Sequence, residues 1–412
     1  MILIIKIIAS FFLAATASAA DLPTVTIDQL LTKVMEHPSI SQKKKEQIGA
    51  EQKLSTAKWA RFPSVQVLTN ASQRNVTNND SSVVTTLRAD QPIWAGGRIS
   101  GAIDAAGARV SASEFAVNEM QQEMASKAGS AFTNYLKLKQ KIEASKENIL
   151  EHQRLLEMIE RKARNEVSPM SEIILAKTRL NQAKSENIAF QTQLANSKAD
   201  LQNYLGATFD DLQVPKINFS IPSNINDALR LALDYSPTIK RLNYEKEAAG
   251  YDIQVSKASL FPQISVRSDE FFGGVIDGNT TYMALTYTPG NGLSALSNAR
   301  EAEARQDGLD NSMSAEKLNL TNKINTFWNM YKAESSQVEV LSNLTETSKG
   351  VFLSFVRQYD LGKKTWVEVL NAKKEATLSK YQLAESQWNA FLAGLNLEVY
   401  TGMVNPNSME IK

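Results

Sequence analysis

Few side chains in this chain are of a type that does chemistry. It has no cysteine and only two histidines, His37 and His152. Without thiols there are no disulfides, no thiolate metal ligands and no acylated cysteine of a lipoprotein. Two histidines this far apart make a zinc site only if carboxylates gather round them, and no such spacing is present. There is no Ser-His-Asp arrangement and no phosphate-cradling glycine loop; Gly290-Asn291-Gly292 falls where a turn is expected. His152 lies in a row with Tyr135, Leu138, Ile142, Ser145, Ile149, Leu156 and Ile159, so it reads as a packed side chain before a ligand or a proton switch. These residues point away from an enzyme, and no cofactor or metal is expected.

The elements around them are those of a large folded protein. Of 412 residues, 43% are hydrophobic and 22% charged. Residues 1–20 read as a secretory signal: Lys6, an apolar run from Ile7 to Ala15, and a small-residue cleavage region at Ala17-Ser18-Ala19-Ala20. Cleavage fits after Ala19 or Ala20 equally well. Beyond Ala20 no window approaches the roughly 18–20 apolar residues of a spanning helix, so entry into a membrane would require a β-barrel. The chain has 45 basic and 44 acidic residues, a balance that gives no pull toward nucleic acid.

The sequence is one unit written twice. Residues 28–67 align without a gap on 227–266, with Pro38/Pro237, Ala50/Ala249, Phe62/Phe261 and Pro63/Pro262 among the identities. Further on, Glu172, Ala176, Leu201, Tyr204 and Gly206 answer to Glu368, Ala372, Leu397, Tyr400 and Gly402. The expected division is 1–20 signal, 21–206 first repeat, 207–225 linker, 226–402 second repeat and 403–412 tail. Each repeat reads helix, strand, strand, long helix, helix.

Proline is absent from 99–164 and from 293–359, so each stretch predicts a helix of about 65 residues, roughly 100 Å long. Shorter helices over about 28–61 and 170–205 would cover the same distance if stacked end to end. Small and apolar residues at 3-4 spacing (Ala176, Leu180, Ala183 and Asn187; Val369, Ala372, Ala376 and Ser379) predict coiled-coil packing with close approach. Between Pro63 and Pro92 the pattern alternates. Val65, Val67, Thr69 and Ala71 share one face, and Val83, Thr85, Leu87 and Ala89 lie opposite Val84, Thr86, Arg88 and Asp90. Residues 262–272 and 281–289 are the corresponding strands of the second half. Four strands cannot close a barrel, and eight would be filled by their own side chains; twelve, from three chains, leave a lumen. A soluble sheet capping a coiled coil is the alternative.

With the tandem repeat, the Phe62-Pro63 and Phe261-Pro262 pairs and Gln91-Pro92-Ile93-Trp94-Ala95-Gly96-Gly97-Arg98 in view, the chain resembles the TolC family of outer-membrane efflux and secretion channels. The resemblance implies a mainly α fold with membrane β: a homotrimer with a 12-stranded barrel and a 12-helix periplasmic tunnel. It further implies a place among outer-membrane lipid in a Gram-negative bacterium, a periplasmic adaptor, and an inner-membrane ABC or other transporter. By position, Tyr359, Lys364, Glu368 and Asn371 match the family's gate, with Glu157 as the acid partner of the gate cation. Asn165, Glu166, Val167, Ser168, Gly362 and Lys363 would be the adaptor-contact tips. Glu166 in place of the usual glycine, Lys364 in place of arginine and Asn371 in place of an acid depart from the pattern. The expected function is a passive exit duct, for type I protein secretion before drug efflux, since the lipidated cysteine common among drug-efflux members is missing. An exported, non-channel coiled-coil spacer is the alternative of another class.

Overall fold

The computed structural model of the chain describes residues 24–73, 81–165, 169–215, 219–273, 278–288 and 294–403. The expected signal segment, residues 74–80, Glu166 to Ser168, Gly290 to Gly292 and the tail from 404 onward lie outside these residues. The first half contains α1 (Ile27–Val34), α2 (Pro38–Trp59), β1 (Ser64–Gln73), β2 (Ser81–Trp94), α3 (Arg98–Arg164) and α4 (Met170–Leu205). The second contains α5 (Ile225–Tyr235), α6 (Pro237–Ala258), β3 (Gln263–Phe272), β4 (Gly278–Thr286), α7 (Ser294–Asp360) and α8 (Trp366–Thr401).

The helix expected over 28–61 is broken in two. Proline cannot donate to the preceding turn, so Pro38 starts a new helix at its first position. The His37 ring caps that helix, its Nδ1 accepting from the Ser39 amide at 3.2 Å. The second half breaks in the same way at Pro237, with Ser236 as cap. Both long helices have 67 residues, so each runs about 100 Å. The Gly96-Gly97 corner turns β2 into α3. Both glycines have positive φ (+58° and +86°), and a side chain at Gly96 would meet Phe261 Cβ at 3.0 Å.

Helix α3 packs against α2 and α4 on one side and against α6 and α8 on the other, and α7 packs on α6 and α8. The α3 seam has a slightly different phase from the one expected. Ser145, Asn148, His152, Leu155 and Ile159 are buried, so Asn148 and Leu155 occupy the places assigned to Ile149 and Leu156. Helix α8 is buried on two sides because it lies between α3 and α7, and Val369, Ala376, Ser379, Ser386, Ala390, Ala393 and Leu397 face inward as expected. The main core lies at mid-length, where Phe132, Leu136, Leu201, Trp388, Phe391 and Val399 pack with α1 and the segment around Phe209 and Leu212. A second core, around Ile159, Phe352, Trp366 and Val369, holds the helical tip.

The four strands form one antiparallel sheet in the order β1-β2-β3-β4. β2 runs on past Pro92 to Trp94, beyond the expected 83–90, with an irregularity at Pro92 that accommodates its missing donor. β4 begins and ends about three residues earlier than expected.

Candidate functional site

The strand register sorts the sheet into two faces. Pairings Val67↔Leu87, Val65↔Ala89, Gln91↔Val266 and Val266↔Met283 place Val65, Val67, Leu87, Ala89, Val266, Met283 and Leu285 on one face. Val65, Val67, Met283 and Leu285 are two-thirds exposed or more, a placement that suits lipid and not water. The other face carries Arg88 directly opposite Asp269 and Asp90 directly opposite Arg267. Arg88 grips both oxygens of Asp269 at 2.7 and 2.9 Å, and Arg267 holds Asp90 Oδ2 at 3.0 and 2.6 Å. Tyr282 on β4 donates to Asp269 at 3.2 Å. This polar lattice joins the hairpin of the first half to that of the second. Alternation alone puts Arg88 and Asp90 on the polar side of β2, but their partners follow only from the β2–β3 register.

At the strand–helix corners the aromatic side chains gather and stay exposed. Trp59 packs beside Phe62 (ring centroids 5.1 Å apart), and Trp94 sits edge-on to Phe261 (6.4 Å). A belt of aromatic rings at one end of an apolar strand band, with the amphipathic Trp59 and Trp94 among them, is what a membrane–water interface favours. Among the described residues no helix is long and apolar enough to cross a membrane, and no group of three or more His, Asp or Glu is placed to hold a metal ion.

At the other end of the helices, about 100 Å away, lies the expected gate region. Gly362 takes a positive φ of +71° and ends α7, and its amide donates to the Tyr359 carbonyl at 3.0 Å. Thr365 caps α8 in a reciprocal box with Glu368: the Thr365 amide donates to Glu368 Oε2 at 2.9 Å and the Glu368 amide to Thr365 Oγ1 at 3.4 Å. The remaining oxygen of Glu368 accepts from Lys364 Nζ at 2.7 Å. Lys364, then the Thr365 amide and hydroxyl, hold the Glu368 carboxyl down to about 2. The Lys364 ammonium also lies 4.5 Å from the centre of the Phe355 ring. Asn371 and Glu368 line a groove between α7 and α8 whose wall includes Val351 and Phe355.

Tyr359 is engaged elsewhere. Its hydroxyl donates to Glu172 Oε2 on α4 at 2.8 Å, its ring lies under the Lys162 ammonium at 4.3 Å, and it packs beside Trp366 at 5.3 Å. Lys162 also pairs with Asp360 at 2.9 Å. The α3/α4 hairpin is thereby tied to the α7/α8 hairpin within one chain. Glu172 and Glu368 are repeat equivalents with different tasks: Pro169 before α4 offers no side-chain oxygen for a box, which leaves Glu172 able to reach across. Within the chain Glu157 approaches Arg161 at 4.0 Å, and the partner of Lys364 is Glu368. Asn165, Gly362 and Lys363 are exposed at the tip, and so are Leu361 and Met170, which the sequence reading passed over. Glu166, Val167 and Ser168 lie outside the described residues.

A sheet with a lipid-type face and a charged face, mounted on helices of this length, is the architecture of the TolC-type outer-membrane channels. Residues 34–207 match the family described as outer membrane efflux protein. The fold agrees with that of the outer membrane protein VceC from Vibrio cholerae (TM-score 0.81, 15% identity, covering 91% of this chain and 96% of that one). By sequence the chain is similar to the alkaline protease secretion protein AprF of Pseudomonas aeruginosa, 16% identical over 305 residues, 70% of this chain and 63% of that protein. It is also similar to the outer membrane efflux protein BepC of Brucella suis, 20% identical over 235 residues, 54% of this chain and 51% of that protein. The matches thus span between half and two-thirds of these relatives. The fold is that of TolC-type outer-membrane channel structures, and most of the first half of the chain carries the match to the outer membrane efflux protein family.

Proposed function

We propose that three copies of this chain form one continuous duct, the outer-membrane exit of a tripartite export system, which passively conducts substrate delivered by a periplasmic adaptor and an inner-membrane transporter. The observation that carries this reading is the set of unfinished edges. β1 and β4 each have a sheet partner on one side only. An open edge in hydrocarbon leaves backbone groups unpaired at several kcal/mol each. β1 and β4 run in opposite directions, so β4 of one copy can continue the antiparallel order onto β1 of the next. The helices have the same defect: α2 and α4 flank α3 on one side only, and α7 has α6 and α8 on one side only. Exposed Ile48, Ile174 and Ile188 on the first flank and Leu318, Val340 and Val351 on the second are apolar surface available to a neighbouring copy.

Two repeat units, 21–206 and 226–402, joined by the linker 207–225, would then each supply half of the protomer's contribution: a hairpin to the barrel and a long helix pair to the tunnel. Tyr359, Lys364, Glu368, Asn371 and Glu157 are assigned to the periplasmic gate. Asn165, Glu166, Val167, Ser168, Gly362 and Lys363 are assigned to adaptor contact, with Leu361 and Met170 as added apolar anchors. Type I protein secretion is favoured by the longer of the two sequence matches, to a protein named for protease secretion. Multidrug efflux is the second reading, favoured by the match to a protein named for efflux. Deleting the gene and measuring both the secreted proteins and drug susceptibility separates the two. Secretion predicts loss of a large protein from the medium with unchanged susceptibility, and the reverse pattern would replace it with efflux.

A further inference from the structure

We propose that the cleft between α3, α4 and α8, above the tip, is a binding site for a small inorganic oxyanion of the sulfate or phosphate class. The cleft has a volume of about 120 Å³ and is lined by Asn148 and His152 from α3, Arg179 and Glu186 from α4, and Lys374 and Thr377 from α8. Its polar groups are mostly donors. The Thr377 hydroxyl lies 2.9 Å from Asn148 Oδ1 and 3.0 Å from the Lys373 carbonyl, sharing one proton between them, so the Asn148 oxygen faces Thr377 and its amino group points the other way. Arg179 donates to Gln182 at 3.0 Å. Among the described residues neither Arg179 nor Lys374 has a carboxylate within ion-pair distance. The single lining acid, Glu186, accepts from the Tyr381 hydroxyl at 3.0 Å.

An independent observation comes from His152. The ring is more than nine-tenths buried, and its Nδ1 has no hydrogen-bond partner. A buried ring nitrogen left unpaired is costly, and native interiors nearly always satisfy such groups. Burial, and then the nearby charges of Lys373 and Arg179, push the ring down to about 4, so at neutral pH it is uncharged and carries a single proton. An oxyanion in the cleft supplies the acceptors that these donors lack: for Arg179 and Lys374 directly, and for the Asn148 amide and the His152 ring on the α3 side. The mixed set of guanidinium, ammonium and amide donors suits an anion with several acceptor oxygens better than a spherical halide.

Position gives the site a consequence. Arg179 belongs to the α3/α4 hairpin and Lys374 to the α7/α8 hairpin, so a bound anion bridges the two. It would favour the arrangement in which α8 lies beside α4. That consequence rests on the duct reading above; the binding itself does not.

The two-histidine composition provides the test. Full-length protein in detergent, labelled with carbon-13 in its histidine rings, is titrated with sodium sulfate and, separately, with sodium chloride at matched ionic strength. The expected result is a saturable shift of the His152 signal with sulfate and none of comparable size with chloride. His37, whose Nδ1 is already occupied by the Ser39 amide, serves as the internal control. Arg179→Gln and Lys374→Gln, both on the cleft rim, should each weaken sulfate binding at least tenfold while the protein keeps its melting temperature in chloride. The proposal is overturned if His152 and His37 shift together, if sulfate and chloride act alike, or if both variants bind as the wild type does. None of these outcomes bears on channel formation, which conductance measures separately.

Discussion

Removing the Tyr359 hydroxyl is the sharpest perturbation of the tip. Tyr359→Phe keeps the ring beside Trp366 and under Lys162 and deletes the donor to Glu172. A hydrogen bond to a charged acceptor at this half-buried site contributes about 1.5 kcal/mol, at the low end for such bonds. If the three tips of the proposed trimer open together, the closed state loses about three times that, roughly 4.5 kcal/mol. At 1.4 kcal/mol per factor of ten, the ratio of open to closed channels rises on the order of a thousandfold. Single-channel recording in planar bilayers reads this directly as long openings in the variant where the wild type shows brief ones. The Lys162–Asp360 pair is more exposed and contributes about 1 kcal/mol or less, so Lys162→Met should act in the same direction and more weakly. An intact Tyr359→Phe trimer with wild-type open probability would refute the idea that this contact holds the hairpins together.

Other expectations concern the sheet, its corner and the helix cap. Val67→Arg, on the apolar face, should cost about 2–4 kcal/mol of barrel stability and deplete the protein from the outer membrane, whereas Leu68→Arg, on the opposite face, should assemble; fractionation and heat stability of the trimer report both. Replacing Asp90 and Asp269 together with asparagine leaves Arg88 and Arg267 unpaired and should move the zero-current potential in a salt gradient toward anion preference, while Arg88→Gln with Arg267→Gln should move it toward cations. Gly96→Val should fail at the corner, because its φ of +58° is unfavourable to a branched residue and Phe261 Cβ stands 3.0 Å from the added atom; loss of the heat-stable oligomer is the readout. Glu368 has a folded-state value near 2, below its ordinary one, so its stabilising effect on α8 is fully present above about 4.5 and fades as pH falls toward 2. The protection factors of amides in the first turn of α8, with the intrinsic pH dependence of exchange divided out, should fall over that window, and in Glu368→Gln they should lose this pH dependence.

The sequence carried the long-range plan of the molecule because periodicity and proline punctuation are local signals. The two proline-free stretches became α3 and α7, and the alternation from Val65 onward divided the faces as the register does. The break at Pro38 is also a local signal, a proline that starts a new helix within the single helix expected over 28–61. Thr365-Trp366-Val367-Glu368 has the spacing of a capping box, yet resemblance drew Glu368 toward the gate and its local task went unread. The ties that hold the tip were not legible: Lys162 with Asp360 and Tyr359 with Glu172 join residues nearly two hundred positions apart. Arg88 and Asp90 could be assigned to the polar face, but their partners Arg267 and Asp269 follow only from the β2–β3 register. His152 was rightly placed on a packed seam, while the unpaired nitrogen depends on what surrounds it in space.

Closure of the sheet by three copies is the claim most directly open to measurement, and the absence of native cysteine makes it clean. Gln66→Cys on β1, combined with either Tyr282→Cys or Ala284→Cys on β4, places thiols on the polar face of the two free edges. Oxidation in isolated outer membranes should give covalent species of two and three chains and nothing larger, with each single-cysteine control remaining one chain. A ladder that ends at two chains, or that extends past three, would contradict the trimeric duct.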